Sequence, residues 1–297
     1  MLVCGIDENG LGPFLGPLII TAYEREEKNT DPTEYSKIKD SKEIFSRKPN
    51  DFEIIEEFFL KELGKTQNLY EIFRRSIFRN WIEKVCPISP KTLCFSDVKI
   101  PQWINHSENL KDSITDKANK NIRFAIICPH ILKIKVQELG SKFSANAYFV
   151  CYMALKSNSE KVICGKSGFK KNYEYEMMKA MQDIGIKADL KKIQESNEIS
   201  SYIVQSEDTT KQIHFVKDAD SKFQEVSFAS IIGKYIRELC MLSITKFLDP
   251  KRKFPISGYG KKNEMKNTVY EILKKIQSNH TVEDINKIRD FCIERNY

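Results

Sequence analysis

Two neighbouring carboxylates, Asp7 and Glu8, stand between an apolar run, Leu2–Ile6, and a glycine-rich bend at Asn9–Pro13. A second acidic pair closes another apolar run in Val216-Lys217-Asp218-Ala219-Asp220-Ser221-Lys222, just ahead of a segment rich in small residues. Acids at the carboxyl ends of neighbouring strands converge on one edge of a sheet, where α/β proteins bind ligands. Grouped carboxylates repel one another unless a cation sits between them. Hard oxygen ligands select Mg2+ or Mn2+, ions that bind phosphate at the same time. The same acids also read as strand ends and helix caps. Lys217, Lys222 and Lys234 read as their counter-charges or as holders of a phosphate backbone.

Other metal chemistry finds little support. The four histidines (His106, His130, His214, His280) are far apart and show no H-x-x-x-H spacing. The eight cysteines form no C-x-x-C pair and sit mostly in apolar runs, the pattern of buried free thiols in a reducing cytoplasm. A chain of 297 residues, 41% hydrophobic and 30% charged, is long enough for one large core with a smaller appendage. Its formal net charge of +7 admits a polyanionic partner without demanding one. No apolar run reaches the ~18 residues of a membrane span. Asp7 comes too early for a secretory leader, so the expectation is a cytoplasmic monomer with no membrane partner.

Stepping out to the elements that must carry these side chains, Leu2–Ile6 and Pro17–Tyr23 read as a strand–loop–strand opening. Phe52, Ile55, Phe58 and Phe59 share one face of a helix over Pro49–Leu63, and helical spacing continues from Leu69 to Val85. Residues 86–122, with prolines and little periodicity, read as an irregular insertion. Phe124–Val136 reads as strand on both sides of Cys128-Pro129, and Ala145–Leu155 as helix. A short strand, Lys161–Cys164, leads into Gly165-Lys166-Ser167-Gly168 and a helix at Tyr173–Ile184. Strands near Lys187–Ile193 and Ile213–Val216 precede a long helix at Val226–Phe247. Helices near Glu264–Ile276 and Val282–Glu294 close the chain. The pattern predicts an α/β domain over 1–247 and a small helical C-terminal portion over 248–297.

With those residues in place, the chain resembles the ribonuclease HII family, the type 2 ribonucleases H. Gly5-Ile6-Asp7-Glu8-Asn9-Gly10-Leu11-Gly12-Pro13, followed by Leu15-Gly16-Pro17, is similar to that family's GIDEAGRGP-x-x-GP opening. Lys39-Asp40-Ser41-Lys42 with Ser46-Arg47 resembles its DSKKLS stretch. Ala219-Asp220-Ser221-Lys222, then Ala229-Ser230-Ile231-Ile232-Gly233-Lys234 and Arg237-Glu238, resembles ADAK…AASIIAK…RD, and Ser257-Gly258-Tyr259 resembles SGYP. The resemblance implies an RNase H-like mixed sheet flanked by helices. It also implies a two-metal endonuclease, using Mg2+ or Mn2+, that cuts RNA in RNA–DNA hybrids or at a lone ribonucleotide in duplex DNA. Asp7, Glu8 and Asp220 would be catalytic and metal-binding. Gly10, Leu11 and Gly12 would lie along the ribose 2′-OH, Tyr259 would stack on the sugar beside the cut, and Lys42 and Lys222 would contact substrate.

Two departures stand out. Val162, Gly168 and Tyr173 set the register of the family's V-x-x-D-x-x-G-x-x-x-x-Y pattern, and that register puts Gly165 where its remaining aspartate belongs. Leu11 replaces the basic residue usual between the two glycines. The alternative to an attenuated nuclease is therefore a catalytically inactive hybrid-binding protein on the same fold. A nearby acid (Asp218, Glu225 or Glu174) or a water would have to fill the missing ligand position for the enzyme reading.

Overall fold

The computed structural model of the chain describes residues 1–26, 44–64, 66–86, 89–96, 98–104, 121–259 and 262–277. Lys39 to Lys42, the segment 105–120 and the helix expected at Val282–Glu294 lie outside the described residues.

β1 (Leu2–Asn9) and β2 (Leu18–Glu26) form an antiparallel pair around the glycine-rich bend, and β2 pairs in turn with β3 (Ile122–Ile127). On its other side β1 runs parallel to β4 (Lys161–Gly165), which runs parallel to β7 (Thr210–Val216). β5 (Asp189–Glu195) and β6 (Ile199–Gln205) extend the sheet antiparallel beyond β7. The order is β3-β2-β1-β4-β7-β6-β5, a seven-stranded mixed sheet flanked by helices, the fold class expected from the sequence. β6 was not among the expected strands. It reads ISSYIVQ, and its serines mask the alternation: Ser200 and Ser201 are both buried.

The helices are α1 (Pro49–Leu63), α2 (Leu69–Arg75), α3 (Arg79–Val85), α4 (Pro129–Leu139), α5 (Lys142–Lys156), α6 (Glu174–Ile184), the single turn α7 (Ala219–Lys222), α8 (Gln224–Leu248) and α9 (Lys262–Gln277). Two expectations are corrected. The helical spacing from Leu69 to Val85 breaks at Ser76, whose extended backbone lets its hydroxyl accept from the Ile126 amide of β3, 2.9 Å away. The stretch after Cys128 is helix, not strand. Pro129 supplies a preorganised first turn, and left-handed Gly140 closes α4.

Successive strand residues point to opposite faces, and the two covering helices use that alternation. α8 crosses β1 so closely that a Cβ on Gly5 would lie 2.2 Å from the Glu225 carbonyl carbon. Val3, Ile163, Val216, Ala219 and Val226 fill that face. α5, buried along most of its length, packs with β1, β2 and β4 and with α4 and α6. The region 89–104 is irregular but packed: Leu93, Phe95, Val98, Ile100 and Trp103 are buried. The buried Glu56 of α1 accepts from the backbone amides of Gln102, Trp103 and Ile104 and from the Tyr235 hydroxyl, which anchors this insertion. Val269 and Ile272 of α9 join Leu15, Leu93, Met241 and Ile244 in a small second core.

Candidate active site

Asp7 and Glu8 lie within β1, which continues to Asn9, and not after it as the apolar run alone suggested. The register of β1 on β4 ends with Ile6 opposite Cys164, and β4 on β7 ends with Gly165 opposite Val216. Asp7, Gly165 and the start of the Lys217–Asp220 turn therefore sit side by side at the carboxyl ends of three parallel strands. Asp220 follows at the second position of α7, half-buried.

The alternation of β1 gives each carboxylate its own support. Ser230 of α8 donates a side-chain hydrogen bond to Asp7. Asn146, wholly buried on α5, donates to Glu8 and, over 2.7 Å, to the Ser167 hydroxyl. Burial pushes the Asp7 carboxyl up to about 6, and the negative charge of Asp220 adds to the push against the relief from Ser230 and Lys234. Burial likewise raises Glu8 well above the usual carboxylate range, with Asp7 and Asp220 adding repulsion. A hard divalent ion would relieve carboxylates crowded in this way.

Gly165 stands close against that pair. A Cβ built there would lie 3.1 Å from Asp7 Oδ1 and 3.8 Å from Glu8 Oε2. Of the three acids that could take its place, Glu225 is engaged elsewhere. Glu225 is buried and pairs with Arg25 Nε at 2.6 Å, Asp218 is exposed with a left-handed backbone at φ 52°, and Glu174 opens α6. Among the described residues no three His, Cys, Asp or Glu side chains gather closely enough to cage an ion. Asp220 acts on the pair through its field. The donor set thus suits a divalent ion at Asp7 and Glu8, with no side-chain oxygen at position 165.

The glycine bend builds the other half of the site. Phe14 N donates to Gly258 O at 2.9 Å, and a Cβ on Gly12 would lie 3.5 Å from Tyr259 Cε1. Tyr259 is 56% exposed, so its ring is presented beside the bend and not spent in the core. Gly10 takes φ +97°, and a Cβ there would meet Arg237 Nε at 2.5 Å. Leu11 is half-buried against the main core. Lys222 is exposed, its Nζ donating to the Lys217 carbonyl at 2.7 Å. Lys42 lies outside the described residues.

Sequence reasoning overlooked Asn146 as a support for Glu8, although an asparagine between Ala145 and Ala147 in an apolar helix is a recognisable signal of a buried polar role. It also took no account of Asn9, buried at the end of β1, whose side-chain amide donates to Ser230 O at 3.2 Å and ties α8 to the strand.

Several known proteins are similar to this chain. The family model of ribonuclease HII matches residues 107–289, more than half of the chain, a range that contains Gly165, Asp220 and Tyr259 and begins after the opening block. The ribonuclease HII of Methanocaldococcus jannaschii is 27% identical over 146 aligned residues, which cover 44% of this chain and 64% of the relative. The crystal structure of the ribonuclease H2 from Pyrococcus horikoshii OT3 is similar at a TM-score of 0.48 and 18% identity, covering 98% of each chain. The PCNA:RNase HII complex from Archaeoglobus fulgidus is similar at a TM-score of 0.42 and 13% identity, covering 100% of this chain and 95% of that one. On the extent of the family match, this chain belongs to the ribonuclease HII family.

Proposed function

We propose that this protein is a divalent-metal-dependent endonuclease that cuts RNA in RNA–DNA hybrids or at a single ribonucleotide in duplex DNA, at a rate reduced by the glycine at 165. The observation that carries the reading is the crowding of Asp7 and Glu8, under the field of Asp220, at the ends of three parallel strands beside the bend that holds Tyr259. A bound Mg2+ or Mn2+ would supply positive charge to the phosphate and lower the pKa of a water. Asp7 and Glu8 would hold it, with Ser230 and Asn146 fixing the two carboxylates in place. Gly10 and Gly12 would let the backbone approach the 2′-OH, the group that tells RNA from DNA, and Tyr259 would pack on the sugar.

The Gly165 position favours one further reading, a protein that binds hybrids without cutting them. The two are separated by incubating wild type and Asp7→Asn with a hybrid and with a duplex carrying one ribonucleotide, in Mg2+ and in Mn2+. Metal-dependent cleavage above the Asp7→Asn background supports the nuclease. Salt-sensitive binding with no cleavage above that background establishes the binder.

A further inference from the structure

The described parts of the four sequence blocks meet at one buried cluster of charge. Arg47, beside Ser46, pairs through Nη1 with Glu238 Oε1, and its Nη2 donates to the carbonyls of Pro255 at 3.0 Å and Ile256 at 3.3 Å. Those two residues lead directly into Ser257-Gly258-Tyr259. Arg237 Nη1 lies 3.7 Å from the same Glu238 oxygen, and its Nη2 donates to Leu15 O of the glycine bend at 3.2 Å. The guanidinium carbon of Arg237 sits 5.7 Å from the centre of the Tyr259 ring. Arg237 and Glu238 are each only 4% exposed.

The surrounding glycines are shaped to this side chain. A Cβ on Gly258 would lie 2.7 Å from Arg237 Nη2 and 2.7 Å from Leu15 O, and one on Gly10 would meet Arg237 Nε. Among the described residues that buried Nε finds no hydrogen-bond partner, and neither does Glu238 Oε2. A buried Arg–Glu–Arg cluster with unsatisfied atoms is a poor source of stability, because desolvating three charges offsets most of their attraction. Its directional bonds to two separate loops are what distinguish it from apolar packing of the same volume.

We propose that Arg237, braced by Glu238 and Arg47, is a positioning residue that sets the glycine bend against Tyr259, so that the two loops read a single ribose as one unit. The proposal rests on the nuclease or binder reading above only for the ribose; the coupling of the two loops stands apart from it. Arg237 touches both loops, through Leu15 O and the Tyr259 ring. Lysine in its place keeps the charge and loses the planar fork that reaches the ring and the carbonyl together.

Two measurements on the full chain test it. The first follows backbone hydrogen exchange in the free protein over 10–16 and 254–259, for wild type, Arg237→Gln and Arg47→Ala. Arg47 is half-buried, so its truncation gives a folded variant should Arg237→Gln fail to fold. Coupling predicts that Arg47→Ala speeds exchange about tenfold in both segments, including the bend that Arg47 never touches. Faster exchange confined to 254–259 overturns it. The second measures binding, in Ca2+, of a duplex DNA with one ribonucleotide and of its all-DNA counterpart. Arg237→Gln is expected to cut the preference for the ribonucleotide about tenfold with little change on the all-DNA duplex, and Arg237→Lys to fall between. An unchanged preference alongside a lowered melting temperature makes Arg237 merely structural and overturns the proposal. Wild type with no preference at all overturns the ribose reading and the function from which it starts, while the exchange data still decide the coupling.

Discussion

The two halves of the candidate site are built to different standards. Around the glycine bend the loops are tied together by directed contacts: Gly258 by the Phe14 amide, Pro255 and Ile256 by Arg47, Leu15 by Arg237, with the Arg237 guanidinium beside the Tyr259 ring. At the ends of β1 and β4, two carboxylates crowd each other and the neighbouring position supplies no side chain. On the proposed function, the difference places ribose recognition and metal chemistry at opposite ends of a shared frame. β1 runs from the carboxylates into the bend, and α8 supports Asp7 through Ser230 and the bend through Arg237. Gly165 lies on β4, away from the bend, while α8 touches both halves, through Ser230 at Asp7 and through Arg237 and Glu238 at the bend.

That separation is sharpened most by Gly165→Asp, whose Cβ needs Asp7 to give way by only a few tenths of an ångström. Restoring the fourth acid is expected to raise cleavage of a single-ribonucleotide duplex in Mn2+ by about 10²-fold, the scale on which one electrostatic group registers in catalysis. Asp7→Asn is expected to abolish metal-dependent cleavage in the same assay.

The same Asp7→Asn substitution should stabilise the metal-free protein. Asp7 is raised from an ordinary carboxylate value to about 6, so the folded state binds a proton more tightly than the unfolded one. Its ionisation costs nothing well below the ordinary carboxylate range, and the cost grows as pH rises from there through about 6. The gap in melting temperature between Asp7→Asn and wild type, measured with chelator present, should therefore widen from pH 4 to pH 7. A gap that narrows with pH would remove Asp7 from the crowded pair.

Asn146→Ala leaves Glu8 and Ser167 without their shared donor and should cost about 1–3 kcal/mol in urea unfolding. Leu11→Arg is expected to have the smallest effect. It should steepen the salt dependence of hybrid binding by about one unit of slope with little change in cleavage rate.

Much of the architecture was legible because the periodicities are strong. The helix at Pro49–Leu63 and the long α8 follow from apolar faces, and Asp7 with Glu8 could be placed near a strand end from Leu2–Ile6 alone. What escaped was settled by tertiary contacts. The helical spacing through Ser76 is interrupted by a hydrogen bond to β3, fifty residues away in sequence. α4 was mistaken for strand because its β-branched residues outweighed the Pro129 and Gly140 boundary signals. The departures at Gly165 and Leu11 were visible in the sequence. The engagement of Glu225 by Arg25 was not, since it joins residues 200 apart. Nor was the convergence of Arg47, Arg237 and Tyr259, because each sits in a block that makes local sense by itself.

The comparison is tested most directly by single-turnover cleavage of a duplex carrying one ribonucleotide, followed in Mn2+ across a range of enzyme concentrations for wild type and Gly165→Asp. The half-saturating concentration reports recognition and the plateau rate reports chemistry. Separate halves predict a wild-type plateau above the Asp7→Asn background, a plateau about 10²-fold higher in Gly165→Asp, and half-saturation within about twofold in both. A plateau unmoved by Gly165→Asp, or a half-saturation that shifts in step with it, would contradict the account.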